Sequence, residues 1–420
     1  MASTRPIPAD PGLDHTLALL SEGYEFVPGR RQQLNSDIFQ TRLLGQKAIC
    51  LAGEEAAALF YDEELFTRKG AAPKRVQKTL FGENAIQTLD GEEHKHRKRM
   101  FLSMMTPSRL DDLAVITREE WGKKLGEWTA REELMLFREA EDIMCRIACR
   151  WAGVPLTDEE APHRAADLGA MVDTFASVGE KYRIGKEARS RTEEWIEGVI
   201  RKIRKGELAP PAHSAAYIIG SHRELDGNRL DDRMAAIELI NILRPIVAVG
   251  RFVTFGALAL HDYPEAKEKV REDKDNYTQM FVQEVRRFYP FGPFVGARVR
   301  KDFIWKGYSF ETGTLVILDI YGTNRHPDLW EEPNQFKPER FKGWEESPFS
   351  FIPQGGGDYY LGHRCAGEWV TVMIMKESLA FLANEITYEV PVQNLNYDLG
   401  RIPAIPKSRF IMRNVKRLSE

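Results

Sequence analysis

Apolar residues recur at helical spacing through the middle of the chain. The pattern predicts amphipathic helices over residues 110–128, 132–151, 157–177 and 188–204, with a break at 206–211. A longer helix is expected from 231 to about 260, because its centre, Ile240-Asn-Ile-Leu-Arg-Pro-Ile-Val-Ala-Val249, is apolar on nearly every side. Another helical pattern covers 277–289. Upstream, residues 14–70 read as a short helix, a hairpin of 38–44 and 48–51, and a helix over 54–61. Strands are predicted at 299–305 and 315–320, separated by a turn at Lys306-Gly307, and the tail from 386 onward reads as short strands. The proline-rich, aromatic stretch 321–341 reads as an ordered meander, since its rings need something to pack against. No internal repeat and no shift in composition divides the chain, so residues 1–420 are read as one domain.

Composition narrows this picture. With 43% hydrophobic residues among 420 the chain can bury a large core, although length alone would admit two or three domains. A net charge of −4 leaves no basic footprint for nucleic acid. No uncharged apolar run reaches the length of a membrane span, and the N-terminal Met1-Ala-Ser-Thr-Arg-Pro lacks the apolar core of a secretion signal. A cytoplasmic protein without an integral membrane segment is therefore expected. The four cysteines, Cys50, Cys145, Cys149 and Cys365, do not suggest a disulfide framework.

Candidate chemistry concentrates in two stretches. Cys365 lies between a glycine-rich loop, Gln354-Gly-Gly-Gly-Asp-Tyr-Tyr360, and an apolar helical pattern. At a helix start, free backbone N–H groups and the helix dipole favour a thiolate, the form that ligates metal or acts as a nucleophile. A buried structural cysteine is the alternative. Cys145 and Cys149 share a helix face without further ligands nearby and read as core residues. The second stretch is the apolar helix, where Arg244 interrupts the stripe next to Pro245. A buried arginine needs an anionic partner, either an internal carboxylate or that of a ligand. Pro245 removes a helix hydrogen bond and is expected to open or kink that turn. The run from Glu92 to Arg99, with His94 and Lys98, reads as a solvated face or an anion clamp. Glu284 and Arg287 are spaced to share one helix face.

Four features then fall in one order: Glu284-Val-Arg-Arg287, Asn324-Arg-His-Pro, Pro338-Glu-Arg-Phe341, and a glycine loop ending His363-Arg-Cys365-Ala-Gly367. This resembles the cytochrome P-450 superfamily. The resemblance implies a mainly α fold with smaller β sheets, heme b ligated by Cys365, and a core locked by Glu284, Arg287 and Arg340. Two departures point to one branch. Gln354 replaces the usual loop phenylalanine in a loop four residues longer, and the central helix carries Arg244-Pro245 where ordinary members have an acid and a threonine. Both resemble the bacterial fatty-acid peroxygenases, which include hydroxylases and a terminal-alkene-forming decarboxylase.

That branch implies a long-chain fatty acid and hydrogen peroxide as substrates, with no dedicated redox partner. Arg244 would hold the fatty carboxylate, which itself acts as general acid-base, and the oxygen would reach the α or β carbon. Arg244, Pro245 and Gln87 are the implied catalytic positions. Gln87 stands where the alkene-forming relative has histidine, which favours hydroxylation over decarboxylation. Phe81, Val172, Phe291 and Phe294 are candidate pocket residues, although such side chains are commonly core. Arg68, His94 and Lys98 match cations that pair with heme propionates. A heme-thiolate fatty-acid sensor without turnover is a further alternative.

Overall fold

The computed structural model describes residues 5–175 and 177–418. Residues 1–4, 176 and 419–420 lie outside that description, among them the first residues of the N-terminal stretch and Ala176 of the predicted 157–177 helix. The architecture is a helical body with a smaller, mostly antiparallel sheet on one flank. At its centre runs the Asp232–Asp262 helix, buried from Ala235 to Leu260 except at half-buried Pro245. Asp231 caps it by accepting the Met234 N–H at 2.6 Å. Among the described residues this is the one helix long and apolar enough to cross a membrane, and 94% of its most apolar window is inside the protein. Its hydropathy is that of a core helix.

Around it pack Leu136–Ala152, Gly179–Arg204 and Glu368–Asn384. Two glycines set how closely the neighbours approach. A Cβ at Gly250 would meet Ala140 at 3.5 Å, and one at Gly256 would fall 2.5 Å from Leu379, so the cysteine-bearing end of the chain crosses the central helix where a side chain is missing. The sheet runs Ile38–Leu43, Gln46–Leu51, Leu315–Asp319, Phe294–Val299, Phe66–Thr67 in space, with Gln46–Leu51 parallel to Leu315–Asp319 and the other pairs antiparallel.

The structure departs from the sequence expectations at several points. Helix is continuous through Pro245, which leaves the Asn241 carbonyl without its backbone donor but does not end the element. The expected 132–151 helix begins at Leu136, because Glu133–Met135 is a strand paired with the C-terminal strand Ile411–Arg417. The first expected helix is split into Thr16–Glu22 and Phe26–Leu34. Phe294–Val299 is a strand that the pattern placed only from 299, and Ala215–Ser221 and Pro264–Glu272 are helices not anticipated. Each depends on a partner distant in sequence or is too short for its periodicity to register.

Candidate active site

The loop from Phe351 to Gly367 brings Cys365 to the mouth of the Glu368–Asn384 helix. Gly355 and Gly357 have φ of +88° and +82°, and a Cβ at Gly356 would sit 2.5 Å from the Pro348 carbonyl. The glycines thus let the backbone close over Tyr61 and Pro348. The Cys365 N–H donates to the Gln354 carbonyl at 3.1 Å. The Gln354 amide lies 3.9 Å from the sulfur, donates to Thr371 Oγ1 at 3.0 Å, and accepts from Arg286 at 2.9 Å. Withdrawal from water pushes the Cys365 thiol up, while Lys98, the Gly367 N–H and Arg286 oppose it. The expected helix-start stabilisation of a thiolate is therefore outweighed by burial, and a bound metal cation would supply the missing positive charge.

Lys98 donates to the carbonyls of Gly362 and Arg364, tying the Gly91–Ser103 helix to the cysteine loop. Its neighbours form a pocket. His94 stacks on His363 with ring centroids 3.9 Å apart, and burial brings the two imidazoles down to about 3 and about 4, so both are neutral near pH 7. His94 Nδ1 is buried without a partner among the described residues. Arg68 is buried, donates to the Gly296 carbonyl at 3.1 Å, and pairs with no carboxylate among the described residues. A cavity of about 260 Å³ lined by Tyr61, Arg68, Asp90, Gly362 and His363 lies here. An unpaired buried guanidinium, an orphaned imidazole nitrogen and a nearby cysteine loop suit a metalloporphyrin with carboxylate arms.

Across the central helix, Arg244 is 6% exposed and donates through Nη1 to the Leu80 carbonyl. No carboxylate pairs with it among the described residues, so the internal-partner alternative is not realised there. Burial first, and Arg189 second, bring its guanidinium down to about 9, with Cys365 and Glu238 acting the other way. It stays protonated at neutral pH. Its guanidinium carbon lies 6.0 Å from the centre of the Phe81 ring.

Gln87 follows Ile86 in a short turn, and its Oε1 is buried without a partner among the described residues. Glu238 holds that turn against the central helix. It accepts from the Ile86 N–H at 2.9 Å, from Arg97 at 2.8 Å and from Asn241 at 3.0 Å. Neither Glu238 nor Arg97 was singled out in the sequence. The signal that exposed Arg244, a charge inside an apolar stripe, applies equally to Glu238.

The pocket candidates divide into separate contacts. Phe81 adjoins Arg244. Val172 is buried at the end of the Ala161–Asp173 helix, and Phe294 lies 6.2 Å from Phe175 just beyond it. Phe291 stacks on Phe252 of the central helix at 4.3 Å. Away from Arg244, Glu284 binds Arg287 through two contacts of 2.7 Å and Arg340 at 3.1 Å, all three linked to the meander. Arg287 also donates to the carbonyls of Asn324, Pro333 and Gln335. Asn324 in turn accepts the Ile352 N–H at 2.8 Å, so this network braces the cysteine loop from behind.

Comparison with known proteins fits this arrangement. Residues 254–394 match the cytochrome P-450 family model. The chain is 46% identical to cytochrome P450EX alpha (CYP152N1), solved with myristic acid, at a TM-score of 0.96 over 99% of this chain and 100% of that one. It is 40% identical to ligand-free cytochrome P-450 OleT, with a TM-score of 0.96 over 99% and 100% of the two chains. Taxane 10-beta-hydroxylase of Taxus cuspidata is 24% identical over 89% of this chain and 81% of its own length.

Proposed function

The chain belongs to the cytochrome P-450 superfamily, in its CYP152 branch, as a heme-thiolate oxidoreductase, and from that premise we propose that it hydroxylates long-chain fatty acids at the α or β carbon with hydrogen peroxide. The observation that carries this reading is Arg244: a buried cation in the central helix, beside Phe81, with no carboxylate of the described residues to neutralise it. A fatty carboxylate supplies that partner.

Cys365 is the proposed iron ligand, and Arg68, His94 and Lys98 border the propionate side, His94 through a ring nitrogen left unsatisfied among the described residues, Arg68 through a buried guanidinium without a carboxylate partner among them, and Lys98 by fixing the loop. Heme held in this way supplies oxygen transfer to an unactivated C–H bond. The protein's own residues supply the rest. Leu243, Pro245 and Ile246 flank Arg244 with no acid or hydroxyl group, so the turn itself carries no proton donor. The carboxylate held by Arg244 carries the proton that cleavage of peroxide requires. Binding at that point would fix the carboxyl end of the chain, so the carbons next to it are the ones proposed to react. Phe81, Val172, Phe291 and Phe294 are proposed to guide the alkyl chain, and Gln87, an amide, offers no acidic proton to divert the reaction toward decarboxylation.

Related structures have been solved with myristic acid, for cytochrome P450EX alpha, and with arachidonic acid, for a variant of cytochrome P-450 OleT. The deciding experiment incubates heme-loaded protein with a saturated long-chain acid and hydrogen peroxide and analyses the products by mass spectrometry. Hydroxy acids are expected. Terminal alkenes as the main product would assign decarboxylation instead, and turnover only with a reductase and a reduced nicotinamide would overturn the peroxide reading. A cytoplasmic location without an electron-transfer partner is part of the proposal.

A further inference from the structure

Arg244 does not stand alone at the carboxylate site. Arg189, in the Gly179–Arg204 helix, is 2% exposed and reaches the same acceptor: its Nη1 donates to the Leu80 carbonyl at 3.2 Å, while Arg244 donates to that oxygen from the central helix. Two guanidinium groups on one neutral oxygen repel each other at short range in a site poor in water. Glu193 meets the charge of Arg189 on its far side, accepting from Nε at 2.6 Å, and its other oxygen lies 3.5 Å from Arg233. Arg189 Nη2 is buried without a partner among the described residues, and a Cβ at Gly82 would come within 2.7 Å of it. The backbone after Leu80 is thus moulded to this side chain.

We propose that Arg189 is a positioning residue for the substrate carboxylate, acting through the Leu80 carbonyl and through the charge it contributes opposite Glu193. This rests on Arg244 being the carboxylate receptor. When Arg244 turns from Leu80 to a carboxylate, Arg189 keeps that carbonyl satisfied, so the Leu80-Phe81-Gly82 turn stays in place. Arg189, with Arg233 on the other oxygen, also offsets the Glu193 carboxylate, so that Arg244 is free to meet an anion. Without Arg189, the Glu193 carboxylate opposes an incoming anion.

The test measures binding of myristate and of 1-tetradecanol, which has the same chain without the charge, to the heme-loaded protein by calorimetry. Arg189→Gln is expected to weaken myristate about tenfold, roughly 1.4 kcal/mol, while leaving tetradecanol within about twofold. Arg189→Lys keeps the charge and is expected to stay near the wild type for myristate. Glu193→Gln alone is expected to tighten myristate, and Arg189→Gln combined with Glu193→Gln to restore it to within about threefold of the wild type. Equal weakening of both ligands by Arg189→Gln, unchanged myristate binding, or a double variant as weak as the single one would each overturn the inference. If Arg189→Gln does not fold, Glu193→Gln decides alone, and its failure to tighten myristate overturns the proposal. Arg244→Gln is the control: unchanged myristate binding there removes the reading of Arg244 itself, whereas weakened binding with an inert Arg189→Gln removes only this inference.

Discussion

Replacing Arg244 with methionine is expected to move stability and binding in opposite directions. The guanidinium is 6% exposed, and its one hydrogen bond among the described residues goes to the neutral carbonyl of Leu80. Such a bond contributes about 1 kcal/mol, whereas a charge withdrawn from water without a counter-charge costs several. Methionine has a comparable length and no charge, so the fatty-acid-free protein is expected to gain about 1–3 kcal/mol. Unfolding entropy of about 2 cal/mol/K per residue converts that gain into a Tm rise of roughly 1–3 °C for a chain of this size. The same substitution deletes the proposed charge-assisted contact to the fatty carboxylate, about 1.5–3 kcal/mol, or roughly 10- to 150-fold in affinity. Turnover should fall further than affinity, because the carboxylate no longer held at that point is also the proposed proton carrier. Scanning fluorimetry without fatty acid, calorimetry with myristate and peroxide-driven product formation read the three quantities. A lower Tm together with undiminished affinity would refute the reasoning, since it would make Arg244 a structural residue rather than a receptor.

Other expectations concern the frame around the site. Glu284→Ala leaves Arg287, 1% exposed, without its bidentate partner and is expected to destabilise the fold by about 3–5 kcal/mol in urea unfolding. Gly82→Ala places a Cβ 2.4 Å from Ile237 at a φ of +91° and is expected to cost about 1–3 kcal/mol by the same measurement, with weakened fatty-acid binding. For the heme-free protein, burial holds His94 neutral down to about 3, while an ordinary imidazole protonates near 6.5. The unfolded chain therefore binds the extra proton first as pH falls, and stability is lost between those two values. His94→Gln is expected to flatten the unfolding midpoint across that interval, and an unchanged slope would assign the acid sensitivity to other groups.

Much of the candidate site was legible because its residues break local rules. An arginine inside an apolar helix, a cysteine after a glycine run and an ordered set of Glu-Arg pairs are each visible without a fold. The Glu238–Arg97 pair obeys the same logic but was hidden in two ways: Arg97 sits in a run of cations that resembles a solvated face, and its partner lies on another helix. In that run Arg97 and Lys98 are buried while Arg99 is exposed, because Arg97 meets Glu238 of the central helix and Lys98 meets the cysteine loop. The strand at Glu133–Met135 was missed because its partner, Ile411–Arg417, comes near the end of the chain.

What the sequence by itself determined is the set of charged and reactive side chains forced into apolar surroundings, together with the helical periodicity that carries them. Those features are local, and their cost in burial shows wherever the chain folds. Only the tertiary structure decided which charges are paired. It gave Glu284 two arginines, gave Glu238 an arginine from another helix, and left Arg244 sharing the Leu80 carbonyl with Arg189. Pairing depends on distance across elements far apart in sequence, and the lack of a carboxylate at Arg244 among the described residues is a fact about packing that no stretch of residues contains.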